Sequence, residues 1–223
     1  MLEVIVDGIV GVGKTTLVRI LQSELGLSPF YEISGERVED LLRNFYFDGK
    51  RWSFTLQVYF LNKRFYQMKM SEKNGRYVMD RSIYGDFLFA KAQHELGMMS
   101  DLEWEVYREM YDNLVEHVVP PRLMIYLRCT VDTAVKRLKK RGRDYEQNVD
   151  LSYWNLIREL YEDMFSRYKE SMLLVIDADK IDFVENEKDR KNMLNVISDL
   201  LSSHRGIFKF DGEELRRVEN WKS

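Results

Sequence analysis

The sequence predicts an α/β fold: a five-stranded parallel sheet with helices on both faces. Three observations carry that expectation. Short, unbroken apolar runs recur along the chain. Longer segments whose apolar residues repeat at helical spacing lie between them. A glycine-rich loop separates the first apolar run from the first helical segment. Unbroken apolar strands, as opposed to alternating ones, suit a parallel sheet covered on both sides.

Taken in order, Leu2–Val6 reads as a buried strand and Lys14–Leu25 as the helix after the loop. Phe30–Ile33 is a short strand candidate, Lys50–Met70 a long helix and Arg76–Met79 a further strand. Ser100 and Glu103 have capping-box spacing and open a helix towards Val118, which Pro120-Pro121 stops. Leu123–Leu127 is an apolar strand, and Thr130 can cap the helix Val131–Lys140. A polar loop, Arg141–Asp150, leads to a helix over Ser152–Ser171. Leu173–Ile176 is the fifth strand and Glu187–Ser203 the last helix.

At 223 residues the chain can bury one sizeable core, so residues 1–204 read as a single domain. Residues 205–223 read as a polar, irregular extension to which no role is assigned. Hydrophobic residues make up 45% and charged residues 32%, as in soluble globular proteins. The net charge of −3 argues against a nucleic-acid partner. No apolar run approaches the ~20 residues that cross a bilayer, so no membrane association is expected. Cys129 is the only cysteine, which excludes an intramolecular disulfide and points to a reducing compartment. The opening Met1-Leu2-Glu3 lacks a secretory pattern, and a cytoplasmic protein is expected.

Gly8 to Thr15 fits G-x-x-x-x-G-K-[ST] without a gap, strand before and helix after. Gly8, Gly11 and Gly13 let the backbone turn tightly, so that its N–H groups, Val12's among them, aim at phosphate oxygens. The positive end of the following helix, from Lys14 to Thr16, adds to that grip. Lys14 is expected on the β- and γ-phosphates of ATP and the Thr15 hydroxyl on Mg2+. The plainer alternative is a glycine-rich turn that only connects strand to helix.

Where the terminal phosphate goes depends on the acids at the strand ends. Asp80 and Asp177 both follow apolar runs, and Asp80 is preferred for magnesium because Arg81 stands beside it. Glu32 closes the second strand candidate, on the sheet edge where ligands of such folds bind. It could take a proton from an attacking hydroxyl; alone, it could equally be an exposed loop acid. On the long helix, Gln57 and Arg64 are seven residues apart and share a face with Phe60 and Leu61. That face is either a solvent edge or a nucleobase slot, with apolar walls and an amide for paired hydrogen bonds. Arg137, Arg141 and Arg143 cluster around one helix end, either solvated or closing over a triphosphate.

The segments "GIVGVGKTT", "KRWSFTLQ", "DRSIYGD" and "RLKKRGRDYEQ", in that order, resemble the deoxynucleoside kinase family, especially its bacterial deoxyadenosine/deoxyguanosine kinase branch. The resemblance runs from Met1 to about residue 204. It implies a P-loop kinase fold with an Arg-rich lid, and ATP-dependent phosphorylation of a deoxynucleoside 5′-hydroxyl in nucleotide salvage. It further implies Glu32 as general base, Arg81 as its cationic partner and Asp80 as the acid near magnesium. Gln57, Arg64 and Asp86 would read the base, Tyr46 and Glu146 hold the sugar 3′-hydroxyl, and Arg137, Arg141 and Arg143 serve the lid. A homodimer is implied as well. Three departures stand out: Ile33 follows the glutamate where the family often has proline, Leu56 falls where an aromatic would sandwich the base from one side, with Phe89 taken for the other, and the tail Gly206–Ser223 extends past the usual family end.

As an ionised acceptor, Asp86 favours a base with an exocyclic amine, so adenine and cytosine fit better than thymine, and guanine could use Arg64. The resemblance tilts the expectation towards purines. Two rival readings share the loop. A nucleoside monophosphate kinase of the thymidylate kinase type has less use for a carboxylate base. A nucleotide-dependent switch or binding module would treat the base slot as ordinary core.

Overall fold

The computed structural model describes residues 1–31, 35–141, 151–203 and 205–222. The chain runs β1 (Leu2–Asp7), α1 (Lys14–Leu25), β2 (Ser28–Phe30), α2 (Glu36–Phe47), α3 (Gly49–Ser71), β3 (Tyr77–Asp80), α4 (Ile83–Glu95), α5 (Asp101–Val115). It continues with β4 (Leu123–Arg128), α6 (Val131–Arg141), α7 (Leu151–Arg167), β5 (Met172–Asp177), α8 (Glu187–Ser203), β6 (Ile207–Phe210) and β7 (Leu215–Val218).

The strands form one sheet in the order β2-β3-β1-β4-β5-β6-β7. Pairings from β2 through β6 are parallel and β7 alone runs antiparallel. All six residues of β1 are buried, as its aliphatic run requires of a central strand covered on both faces. The chain leaves β1 for β2 and β3 on one side and later returns to β4 on the other. Strand order therefore reverses at β1, the place where such sheets open a crevice at their carboxyl ends.

Two expectations change. The sheet has seven strands where five were expected, because the tail is not irregular. Ile207–Phe210 buries alternate residues, and Asp211-Gly212 turns the chain back into β7. Gly212 takes φ 102, and the Asp211 carboxylate accepts from the amides of Glu213 and Glu214 at 3.2 and 3.1 Å. Of the strand expected at Phe30–Ile33, residues 32–33 lie outside the described residues, and the observed strand is Ser28–Phe30, paired with Tyr77–Met79. Pro29 fits there because β2 is an edge strand.

The other four strands each run one residue past the apolar segment that announced them. Those extra residues are Asp7, Asp80, Arg128 and Asp177. Val6 is in register with Asp80, Asp7 with Tyr126 and Arg128 with Asp177, so these polar groups gather on one sheet edge. The capping box at Ser100 and Glu103 forms, and the Thr133 amide donates to Thr130. No helix among the described residues is long and apolar enough to cross a membrane.

Candidate active site

The loop between β1 and α1 opens on a cavity of about 670 Å³. Val10–Thr16 forms one wall, and Arg137, Lys140 and Ile181–Glu185 stand across it. Gly8 has φ +142, and a Cβ there would stand 2.4 Å from the Leu127 carbonyl oxygen, so only glycine fits. Lys14 is buried and donates from Nζ to the carbonyls of Gly8 and Ile9 at 3.0 and 2.9 Å. Its charge is thereby held against the loop that it serves.

Thr15 Oγ1 donates to Asp80 Oδ2 at 2.5 Å, so the two residues expected at magnesium touch. Asp177 stays with its own turn, accepting from the Asp179 amide at 3.2 Å. Arg81 follows Asp80 with φ 76, left-handed for a side chain that pays roughly 1–2 kcal/mol there. The Arg81 amide donates to the Val6 carbonyl at 2.9 Å, which fixes that turn to β1. Its guanidinium donates to the Tyr161 hydroxyl at 2.9 Å and lies 4.4 Å from the centre of the Phe89 ring. Phe89 thus has one face against Arg81. Burial holds the Tyr161 phenol far above its ordinary range, so it stays neutral.

On α3, Gln57 is 2% and Arg64 0% exposed, so their face is interior and not a solvent edge. Arg64 Nε donates to Asp86 Oδ2 at 3.0 Å, and Nη1 to the Asp80 carbonyl at 2.8 Å. Burial pushes the Asp86 carboxyl up from its ordinary range, opposed by the charges of Arg64 and Arg81. Gln57 Oε1 is buried with no hydrogen-bond partner among the described residues. A buried amide oxygen in that condition calls for an outside donor. Leu56 is buried beside it, and Tyr46 is half-buried on the last turn of α2.

Arg64 Nη1 also reaches Gln67 Oε1 at 3.1 Å, and Gln67 Nε2 donates to the Tyr31 carbonyl at 3.3 Å. Tyr31 lines the phosphate-loop cavity. Glu32, Arg143 and Glu146 lie outside the described residues, as does the Arg141 side chain. Arg137, expected to serve the lid, lines the cavity beside the phosphate loop. Its guanidinium donates to the carbonyls of Val12 and Ala178 at 2.9 Å each, bracing the loop against the chain after β5.

Sequence reasoning missed several groups. Asp7 sits beneath the loop and bonds to Ser82 and Tyr161; an acid directly before Gly8 was the available signal. Ser53 Oγ donates to Gln93 Oε1 at 2.5 Å, joining α3 to α4. Ser53 precedes Gln57 by one helical turn, a spacing that could have drawn it in. Phe183 packs over Gly13, 3.1 Å from where its Cβ would be. Nothing local in the sequence marks Phe183 or Tyr161.

A sequence model of the deoxynucleoside kinase family matches residues 4–202. A deoxyguanosine kinase of Lactobacillus acidophilus is 38% identical over 212 residues, covering 90% of this chain and 91% of the relative. A deoxyadenosine kinase of the same organism is 36% identical, covering 90% and 97%. The solved structure of deoxyadenosine kinase from M. mycoides with bound dATP superposes with a TM-score of 0.76 at 28% identity, covering 90% of this chain and all of that one. With Asp80 bonded both to Thr15 of the phosphate loop and to the buried Arg64–Asp86 pair, and with these relatives, the chain belongs to the deoxynucleoside kinase family and is a phosphotransferase that phosphorylates deoxynucleosides.

Proposed function

We propose that the transfer runs from ATP, held over Gly8–Thr16, to the 5′-hydroxyl of a purine deoxynucleoside seated against Gln57, Arg64 and Asp86. One observation carries this reading: Asp80 takes the Thr15 hydroxyl on its carboxylate and Arg64 Nη1 on its main-chain carbonyl. A single residue thereby joins the phosphate loop to the base slot, leaving the reacting centre between them.

In the reaction, the 5′-oxygen forms a bond to the γ-phosphorus while the bond to the β-phosphate oxygen breaks and ADP leaves. The hydroxyl proton passes to the Glu32 carboxylate. Support for Glu32 comes from its neighbour: Tyr31 lines the phosphate-loop cavity and its carbonyl is held by Gln67. Arg81 and Lys14 spread the charge on the transferring group. Tyr46 and Glu146 hold the 3′-hydroxyl, and Arg141 and Arg143 close over the phosphates.

Magnesium prefers hard oxygen ligands and keeps few from the protein. The touching hydroxyl of Thr15 and carboxylate of Asp80 fit that demand. The ion would neutralise charge on the β- and γ-phosphates.

The purine preference rests on the unpaired Gln57 Oε1, which suits an amine or ring N–H, and on the two Lactobacillus relatives. We read the enzyme as a cytoplasmic homodimer.

A panel of the four deoxynucleosides and their monophosphates as acceptors tests the proposal. Deoxyadenosine or deoxyguanosine should show the highest kcat/KM, deoxycytidine less, and thymidine least. Preference for a monophosphate would replace this reading with a thymidylate-kinase-type reaction. ATP hydrolysis indifferent to every acceptor would point to a switch.

A further inference from the structure

Asp7, Tyr161 and Arg81 meet in the interior from three elements: the end of β1, the third turn of α7, and the turn after β3. The Tyr161 hydroxyl donates to Asp7 Oδ1 at 2.6 Å and accepts from Arg81 Nη1 at 2.9 Å. That direction is forced, since a guanidinium only donates and an ionised carboxylate only accepts. Asp7 takes three further donors: the Gly8 amide at 2.8 Å, the Ser82 amide at 2.9 Å, and the Ser82 hydroxyl. The packing leaves no slack around these oxygens. A Cβ on Gly85 would stand 2.6 Å from Asp7 Oδ2 and 2.7 Å from the Tyr161 hydroxyl. Phe89 closes another side of the guanidinium.

We infer that Tyr161 is a positioning residue for phosphoryl transfer: it aims the Arg81 guanidinium and, through Asp7, ties that aim to the first amide of the phosphate loop. The inference rests on the role proposed for Arg81. The Arg81 turn and the loop amide are both anchored to one carboxylate, so their separation is fixed before either substrate arrives. α7 begins at Leu151, directly after the Arg-rich segment in the chain. Tyr161 therefore also connects Arg81 to the helix that follows that segment.

Tyr161→Phe removes one oxygen and keeps the ring. Its kcat should fall about 10- to 100-fold, the scale of a small misplacement of a reacting group, while the deoxynucleoside KM changes by less than about threefold. A purely structural role would lower Tm and leave kcat at 25 °C intact. A double-mutant cycle with Arg81→Lys decides the matter. If Tyr161 acts through Arg81, the double variant should be no slower than Arg81→Lys alone, within about twofold. Losses that multiply would overturn the inference. Arg81→Lys with normal turnover would instead remove the role of Arg81 itself, so the two failures are distinguishable. Should Tyr161→Phe not fold, Asp7→Asn carries the same cycle, keeping the hydroxyl and weakening its ionic acceptor. If neither variant folds, the trio is scaffold and the inference falls.

Discussion

Arg64 and Asp86 form an ion pair of 3.0 Å with both side chains almost wholly withdrawn from water. Such a pair stabilises little in itself, because desolvation offsets most of the attraction. On the proposed reading, its value is a carboxylate held fixed towards the base. Burial raises the Asp86 pKa, so on acidification it protonates before an ordinary carboxylate does. Deoxynucleoside KM should therefore rise as pH falls towards the carboxylate range, and this limb should vanish in Asp86→Asn. The Asp86 contribution to stability should move against affinity, rising as pH falls. A raised folded pKa contributes most below the unfolded value of ~3.9 and is lost as pH rises through the folded one. KM and Tm measured across the same pH series check both signs, and a flat KM would remove Asp86 from the slot.

Gln57 gives a prediction in which stability and function separate. Its buried, unpaired Oε1 costs the free enzyme up to ~1–3 kcal/mol. Gln57→Leu should therefore keep or raise Tm by a few degrees without ligand. It should also lower kcat/KM for deoxynucleosides at least ~100-fold, since the base loses its paired hydrogen bonds. A variant that unfolds, or one that turns over normally, would make Gln57 a core residue.

Much of this organisation was legible because it depends on local rules. The loop from Gly8 to Thr15 is a contiguous pattern, and α1 and α8 have the bounds that the sequence announced. The strand ends were read one residue short. An apolar run stops at the first charge, whereas the ladder continues through Asp7 and Asp80, whose charges find partners only in the assembled site. α4 was not anticipated because it buries polar and apolar residues alike, Asp86 and Gln93 beside Leu88 and Ala92, and so shows no amphipathic face. The β6–β7 hairpin was hidden by the polarity of Lys209, Arg216 and Arg217, although Asp211-Gly212 is a hairpin signal. Tyr161 reaches Asp7 across 154 positions of sequence, a distance over which no spacing rule operates.

Glu32→Gln should bind deoxynucleoside normally and slow the chemical step by ~100-fold or more. Single-turnover kinetics read the step directly. Lys14→Ala should abolish transfer while leaving nucleoside binding intact, measured by calorimetry. Near-normal turnover of Glu32→Gln would assign the proton to another group.

Gly85 sits in the first turn of α4, where helix propensity alone says that alanine would stabilise by ~1 kcal/mol. The geometry reverses the sign. An added Cβ would overlap Asp7 Oδ2 and the Tyr161 hydroxyl, both held by other bonds and unable to retreat. Gly85→Ala should lower Tm by several degrees and depress kcat; an unchanged or raised Tm would mean that this junction yields.

The C-terminal hairpin covers the edge of β5, whose Leu173–Ile176 run would otherwise present unpaired amides and carbonyls beside apolar side chains. An uncovered apolar edge is a template for pairing with another chain. β7 replaces it with an outer strand whose Arg216 and Arg217 are exposed, a charged edge that resists such pairing. Phe208, Phe210 and Trp221 are buried along with it, Trp221 packing on Tyr126 and against the Arg128 guanidinium. None of these residues lines the phosphate-loop cavity. Deleting residues 205–223 should therefore keep turnover per folded molecule near that of the full chain while lowering Tm and producing concentration-dependent aggregation in light scattering. Lys substitution at Val175 in the truncated chain would not rescue it, because that side chain is interior; shielding has to come from a paired strand. A truncated chain as stable and as dispersed as the full one would show that the β5 edge needs no cover.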